Sequence, residues 1–455
     1  MLLSQHLEKR EEDGNPIRVG VIGVGKFGAA LVAQISQMKG MNVSAIADIN
    51  PDHAKRAYDT YGIDGSGVAI AETVNGVDDA VSKGTPIVTN DGLNIANSEQ
   101  LDVVVDATGI PDVGAQIAYH TLTTGKHLVM VNVEADVTIG PMLRRLADSA
   151  GVVCTAVDGD QPGATMNIVD WARTLGLDVV AAGRGTVFFD DDRAGIPDTV
   201  PERFGFSEET LENRTINLKM FNTFRDGTKA QTEMTALANM AGLPPDVRGM
   251  HEPSVNLADI PRLFSLQEEG GLLSRHGVVE LANSVASDGR TMLPDPLKMG
   301  VFAVVRSEHP FTQEDLAFYG LHKGGHKNGD YYNYLLYRPY HLVAVTAPMS
   351  IAKAVIYGQP TGACLPTPVA ELITVAKSNI EEGQTLDGGG GYTVNGLCEK
   401  AEVARAENLL PLGLAYGAVL KQDVAQGEAI TYDMVDLRED SFVLKMRRLQ
   451  DATVW

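Results

Sequence analysis

The sequence predicts an α/β protein. It has an N-terminal Rossmann-type, doubly wound parallel sheet, a central α+β domain and a small β-rich domain at the C-terminal end. Three observations carry that reading. Apolar runs of four to seven residues alternate with helical patterns through the first 160 residues, as in parallel strands covered on both faces. From "DVVAAGRGTVFF" onward, β-branched runs mix with long loops. Beyond a Pro-rich boundary near Thr361 to Pro368, short strands are separated by glycine-containing turns. The boundaries that follow are 1–160, 161–365 and 366–455, with the end of the middle segment returning to the first domain.

Composition narrows the possible partners. With 37 Lys and Arg against 59 Asp and Glu, the formal charge is −22. That balance disfavours nucleic acid and anionic membrane, and it also suits a high-salt cytoplasm. The start, "MLLSQHLEKREEDGNP", lacks the apolar run and cleavage site of a secretory signal. No stretch is long and apolar enough to span a bilayer, so a soluble cytoplasmic protein is expected. The three cysteines, Cys154, Cys364 and Cys398, are far apart and lack CxxC spacing, so neither a disulfide framework nor a zinc cluster is implied.

The first element is the most informative. "IRVGVIGVGKFGAALVAQISQM" runs from an apolar strand into a helix, with Gly23, Gly25 and Gly28 as GxGxxG and Lys26 and Phe27 inside the motif. The first glycine permits the tight turn, the second lets a pyrophosphate approach the backbone, and the third lets helix and strand pack closely. A second strand, "MNVSAIAD", ends at Asp48, twenty residues beyond Gly28, where a carboxylate can take the adenosine ribose hydroxyls. Its charge favours NAD. Lys55 and Arg56 could instead pair with the 2′-phosphate of NADP, so both cofactors stay open. Further strands end at Thr108-Gly109 and at Asn132 and Glu134, which are expected to line the nicotinamide side.

Three later segments carry charge in notable places. In "VDGDQPGATMNIVDWARTLG", Asp160 stands at a strand's carboxyl end before a helix, as a cap or as a catalytic carboxylate. In "FRDGTKAQTEMTALANMAGL", a 100° step puts Asp226, Lys229 and Glu233 on the face of Met234, Leu237 and Met240. Surface helices do the reverse, so this helix is expected to form one side of an active-site cleft. Finally, "GLHKGGHKNGDYYNYLLYRPYHLVAV" concentrates Lys323, Lys327, Arg338 and His341. It reads as a contact for an anionic substrate or as a solvated loop.

Taken together, "GVIGVGKFGAALVAQ", "DATGIPDVGAQ", "GKHLVMVNVEADVTIGP", "RDGTKAQTEMTALANMAGL" and "YRPYHL" resemble the 1-deoxy-D-xylulose 5-phosphate reductoisomerase-like family. These are homoserine-dehydrogenase-related oxidoreductases with a C-terminal SAF-type module, which would match residues 366 onward. The resemblance implies NAD(P)-linked redox chemistry on a small polyol-type substrate, and a homodimer. It departs from the family at Gln161, where a glutamate is usual, and in the longer, more basic loop from His322 to Tyr332.

A reductoisomerase of this kind calls for a Mg²⁺ or Mn²⁺ ion on adjacent substrate oxygens. Asp160 and Glu233 are its expected ligands, with Lys229 polarising the carbonyl or relaying a proton. Two rivals stand beside this reading. One is a homoserine-dehydrogenase-like alcohol dehydrogenase in which Asp226 and Lys229 move the proton without metal; the other is a non-catalytic NAD(P)-binding regulatory protein.

Overall fold

The computed structural model describes residues 1–60, 62, 67–213, 216–325 and 332–454. The chain folds into two compact units. The first comprises Met1–Gly163, Leu342–Thr367 and Ser441–Trp455, and the second Ala164–His341 and Pro368–Asp440. Residues 366–455, expected to stand as one domain, are divided between the two.

The first unit is built on seven strands: β1 (Ile17–Ile22), β2 (Met41–Ala47), β3 (Ala69–Ile70), β4 (Ile87–Thr89), β5 (Val103–Asp106), β6 (His127–Met130) and β7 (Cys154–Ala156). All pair in parallel, in the order β3-β4-β2-β1-β5-β6-β7. The strands are mostly apolar and buried because helices cover both faces. Val19, Val21, Ile46, Val105 and Val129 are buried with Leu31, Val32 and Ile35 of the helix Lys26–Ile35, and with Ile351 of the returning helix Val343–Tyr357. Winding runs outward from β1 through β2, then restarts at β5 on its other side. The β1–β5 junction is therefore the switch point, where such sheets bind ligands.

The second unit holds a five-stranded sheet of β8 (Asp178–Thr186), β9 (Val278–Asn283), β10 (Val301–Arg306), β11 (Lys323–Gly325) and β12 (Tyr332–Arg338), in the order β11-β12-β10-β8-β9. Only β8 and β9 pair in parallel. One face meets the helix Thr228–Ala241 through Val179, Val279, Leu281 and Ala303 against Met234, Leu237 and Ala238. Fully burying an aliphatic side chain of this size contributes roughly 1.5–3 kcal/mol.

The hairpin β13 (Ala370–Ala376) and β14 (Val394–Lys400) covers the other side of that helix. Here the uncharged polar side chains find their purpose. Gln231 Oε1 accepts the Cys398 N–H at 2.8 Å, and Asn239 Oδ1 accepts those of Val369 and Ala370 at 2.9 Å each. Among the residues of this helix, only Lys229 is not buried. It is an interior helix between two layers.

Candidate dinucleotide and substrate sites

The turn after β1 meets each steric demand of a pyrophosphate cradle. Gly23 has φ +89°, and a Cβ there would stand 2.8 Å from the Ala107 carbonyl oxygen. At Gly28 a Cβ would come within 2.1 Å of the Gly23 oxygen, so helix and strand are as close as backbone allows. Gly25 differs: a Cβ there would meet nothing within 4 Å. The second glycine faces open space, and the helix that begins at Lys26 has no side-chain cap over its first N–H groups. Those orphan donors and the helix dipole suit a phosphate. Lys26 is exposed beside them, whereas Phe27 packs partly into the core.

Neighbouring loops shape the rest of the crevice. Asp48 Oδ2 accepts the Val24 N–H at 2.9 Å and Oδ1 that of Asn50 at 2.9 Å, which ties the end of β2 to the glycine turn. Thr108 is anchored through Asp106, and Asn132 Nδ2 donates to Thr108 Oγ1 at 3.1 Å. Asn132 also caps the helix Val133–Ala150 by accepting the Ala135 N–H at 3.1 Å, and Glu134 lies in that helix's first turn. Gly109 is exposed with φ +68°. Asp160 is buried in the same unit, its Oδ1 accepting the Gln161 N–H at 3.1 Å where the next helix starts.

In the second unit the inward charges are arranged differently from the expectation. Asp226 precedes the helix, whose N-cap is Gly227 with φ +87°, so a helical phase does not apply to it. One of its oxygens accepts the Thr228 N–H at 2.9 Å, and the other meets the Lys377 ammonium at 2.7 Å. Lys377 also donates to the Gly195 and Gly391 carbonyls at 3.0 and 2.7 Å. Three acceptors saturate its three donors. Glu233 is held by Arg184 of β8, both side chains being almost fully buried.

Each of the two buried carboxylates, Asp226 and Glu233, thus has its own cation. Removing one partner of such a buried pair costs about 3–5 kcal/mol. Sequence reasoning missed Arg184 and Lys377. The available signal was a count: two carboxylates aimed at a core require two cations, and Arg184 interrupts an apolar strand between two glycines.

The basic residues divide into two places. Cross-strand register aligns Arg184, Val301 and Arg338 in one row of the sheet, so both guanidinium-bearing residues project from the face that carries the Thr228 helix. Met299 joins them: Arg184 Nη2 lies 3.7 Å from its sulfur, and His341 Nδ1 lies 3.0 Å from its carbonyl oxygen. Lys323 is elsewhere. It pairs with Tyr334, four residues from Arg338 or roughly 13 Å along the strand, and its ammonium lies 4.5 Å from the centre of the Tyr332 ring. Lys323 thus stands apart from Arg338 and His341; Lys327 lies outside the described residues.

Among the described residues, no group of three or more His, Cys, Asp or Glu is placed to hold a metal ion. Glu233, expected as a metal carboxylate, is committed to Arg184 instead. Among the described residues, no helix is long and apolar enough to cross a membrane.

An open glycine cradle at the switch point of a parallel sheet has the form of a dinucleotide site. Family models agree. Residues 23–155 match the homoserine dehydrogenase NAD binding domain, and residues 159–347 match the catalytic domain of oxidoreductase DRL. The chain thus carries a segment similar to the DRL oxidoreductase catalytic domain after a homoserine-dehydrogenase-like nucleotide-binding segment.

No curated protein sequence matches the chain. Solved structures offer distant likenesses. A DOX-P reductoisomerase in complex with magnesium is 12% identical over 76% of this chain and 70% of its own, with a TM-score of 0.38. The 1-deoxy-D-xylulose 5-phosphate reductoisomerase of Zymomonas mobilis with NADPH is 16% identical over 48% and 56%, TM-score 0.32. A mutant of KijD10, a 3-ketoreductase from Actinomadura kijaniata with TDP-benzene and NADP, is 18% identical over 38% and 49%, TM-score 0.27. For the last two, the chain spans about half the length of the solved protein. Likenesses this distant have no bearing on the chemistry.

Proposed function

We propose that the chain uses NAD(P)H to reduce the carbonyl of a small anionic polyol-type or sugar-acid substrate. The leading form is rearrangement of 1-deoxy-D-xylulose 5-phosphate to a branched aldehyde, whose reduction by NAD(P)H gives 2-C-methyl-D-erythritol 4-phosphate. The observation that carries the redox reading is the Gly23–Gly28 turn, closed by backbone at two glycines and open at Gly25. The turn and the first N–H groups of its helix would hold the pyrophosphate, Asp48 the adenosine ribose, and Thr108, Gly109, Asn132 and Glu134 the nicotinamide end. When bound, the dinucleotide supplies the hydride.

Support for an anionic substrate comes from the Arg184–Arg338 row with His341 beside it. A guanidinium offers a planar fork to phosphate or carboxylate, and Arg338 takes that role, because Arg184 is committed to Glu233. Lys229 stands one turn before Glu233 and is the half-buried residue of an otherwise buried helix. It takes the role of polarising the carbonyl and delivering the proton. Asp226 helps by fixing the start of that helix. A homodimer is part of this reading.

The test follows NAD(P)H oxidation with 1-deoxy-D-xylulose 5-phosphate in the wild type and in Lys229→Ala. General acid–base catalysis contributes about 10²- to 10⁴-fold, so the variant should lose at least a hundredfold in kcat while binding cofactor normally. Cofactor binding without turnover of that substrate would defeat the leading substrate. Turnover of another hydroxy acid, insensitive to a chelator, would favour the homoserine-dehydrogenase-like alternative.

A further inference from the structure

Asp106 ends β5 at the switch point of the first sheet, and its register partner across the crevice is Ile22, the residue before Gly23. The side chain is wholly buried. Oδ1 accepts the Thr108 N–H at 3.0 Å and the Thr108 hydroxyl at 2.7 Å. Oδ2 has no hydrogen-bond partner. The amide of Asn132 donates to Thr108 Oγ1 and, at 3.0 Å, to the Ile110 carbonyl. Behind the carboxyl, Gly114 closes the space: a Cβ there would stand 2.7 Å from Asp106 Oδ2 and 2.3 Å from Asn132 Nδ2.

A buried carboxylate oxygen with no donor is costly, and holding Thr108 needs only the other oxygen. The surplus is the charge itself. An oxidised nicotinamide ring is a cation and a reduced ring is neutral, so a carboxylate beside it in a low-dielectric crevice distinguishes the two.

We infer that Asp106 is a positioning residue that couples a proton to the redox state of the bound nicotinamide. Ionised, it favours the oxidised cofactor, and protonated, it gives up that preference. This rests on reading the crevice as the dinucleotide site. Burial pushes Asp106 up to about 6 against the opposing hydrogen bonds from Thr108 and the weaker pull of the adjacent Asn132 amide, so its charge changes near neutral pH. Glu134, in the first turn of the helix Val133–Ala150, also acts on it and raises it further. Asp112 on the neighbouring helix is occupied by the Ser441 hydroxyl and the Val443 N–H, and Asp48 by Val24 and Asn50.

The experiment titrates the full chain with oxidised and with reduced cofactor from pH 5 to 8, in the wild type and in Asp106→Asn. The ratio of the two dissociation constants, reduced over oxidised, should rise about fivefold or more across that range in the wild type. In the isosteric amide variant it should stay flat, near the low-pH value. A ratio independent of pH in the wild type overturns the inference without reference to any variant. A variant that keeps the wild-type pH dependence overturns it as well, by assigning the proton to another group. Binding of neither cofactor form would instead remove the dinucleotide reading on which it stands.

Discussion

Gly25 and Gly28 lie three residues apart in one turn, yet a methyl group added to each meets opposite surroundings. At Gly25 the backbone has φ −64° and ψ −159°, which any residue can adopt, and nothing stands within 4 Å. Gly25→Ala should therefore leave the urea midpoint unchanged and weaken dinucleotide binding, by about tenfold or more if the pyrophosphate crosses there. At Gly28 the methyl would enter the Gly23 carbonyl. Gly28→Ala should then cost about 1–3 kcal/mol of stability through overpacking, and it should weaken binding as a consequence of misfolding. Paired urea titrations and cofactor titrations check both. Wild-type affinity in Gly25→Ala would mean that no phosphate approaches that backbone.

Elements show how neighbours satisfy what a single segment leaves open. The helix Val133–Ala150 contains Pro141, which lacks an N–H and crowds the carbonyl four residues back. Just beyond it, the Met142 N–H is accepted by Gln450 Oε1 at 3.1 Å. The Thr138 carbonyl, four residues before Met142, takes Arg447 Nη1 at 3.2 Å and Gln450 Nε2 at 3.4 Å. Both partners come from the last helix, Phe442–Val454, so the end of the chain repairs a proline-disturbed ladder in its first unit. Gln450→Ala removes a buried donor and a buried acceptor together and should cost about 1–3 kcal/mol. Equilibrium urea unfolding measures this, and a midpoint unchanged in Gln450→Ala would show that water or the helix itself can serve those groups. The Thr228 helix follows the same logic on a larger scale, with Gln231 and Asn239 supplying hydrogen bonds to the hairpin laid over them.

Across the whole molecule, legibility followed sequence distance. The glycine turn could be read directly because its steric demands fall within six residues. The parallel strands could be read because burial on both faces leaves a continuous apolar run. Asp226 and Glu233 could be seen as inward charges, but their cations, Lys377 and Arg184, lie 151 and 49 residues away and carry no local pattern. The division of the C-terminal ninety residues between two units was equally hidden, because short strands and a helix do not announce which layer they join.

One further long-range cluster sets a pH dependence for the fold. His251 Nδ1 lies 2.5 Å from Glu280 Oε1, its Nε2 lies 3.8 Å from Asp246 Oδ2, and Asp246 accepts the Ser274 N–H at 2.8 Å. The hydrogen bond to Glu280 raises His251 above its ordinary value, and burial raises Glu280 above its own. Both groups therefore hold protons more firmly in the folded chain than in the unfolded one, so this cluster loses stability as pH rises. The imidazole's share is complete below about 6.5, the unfolded value, and disappears as pH climbs through the raised folded value. Urea midpoints measured from pH 6 to 9 should fall for the wild type and fall less steeply for His251→Gln. Parallel slopes for the two proteins would mean that His251 does not titrate with unfolding and that its proton serves packing alone.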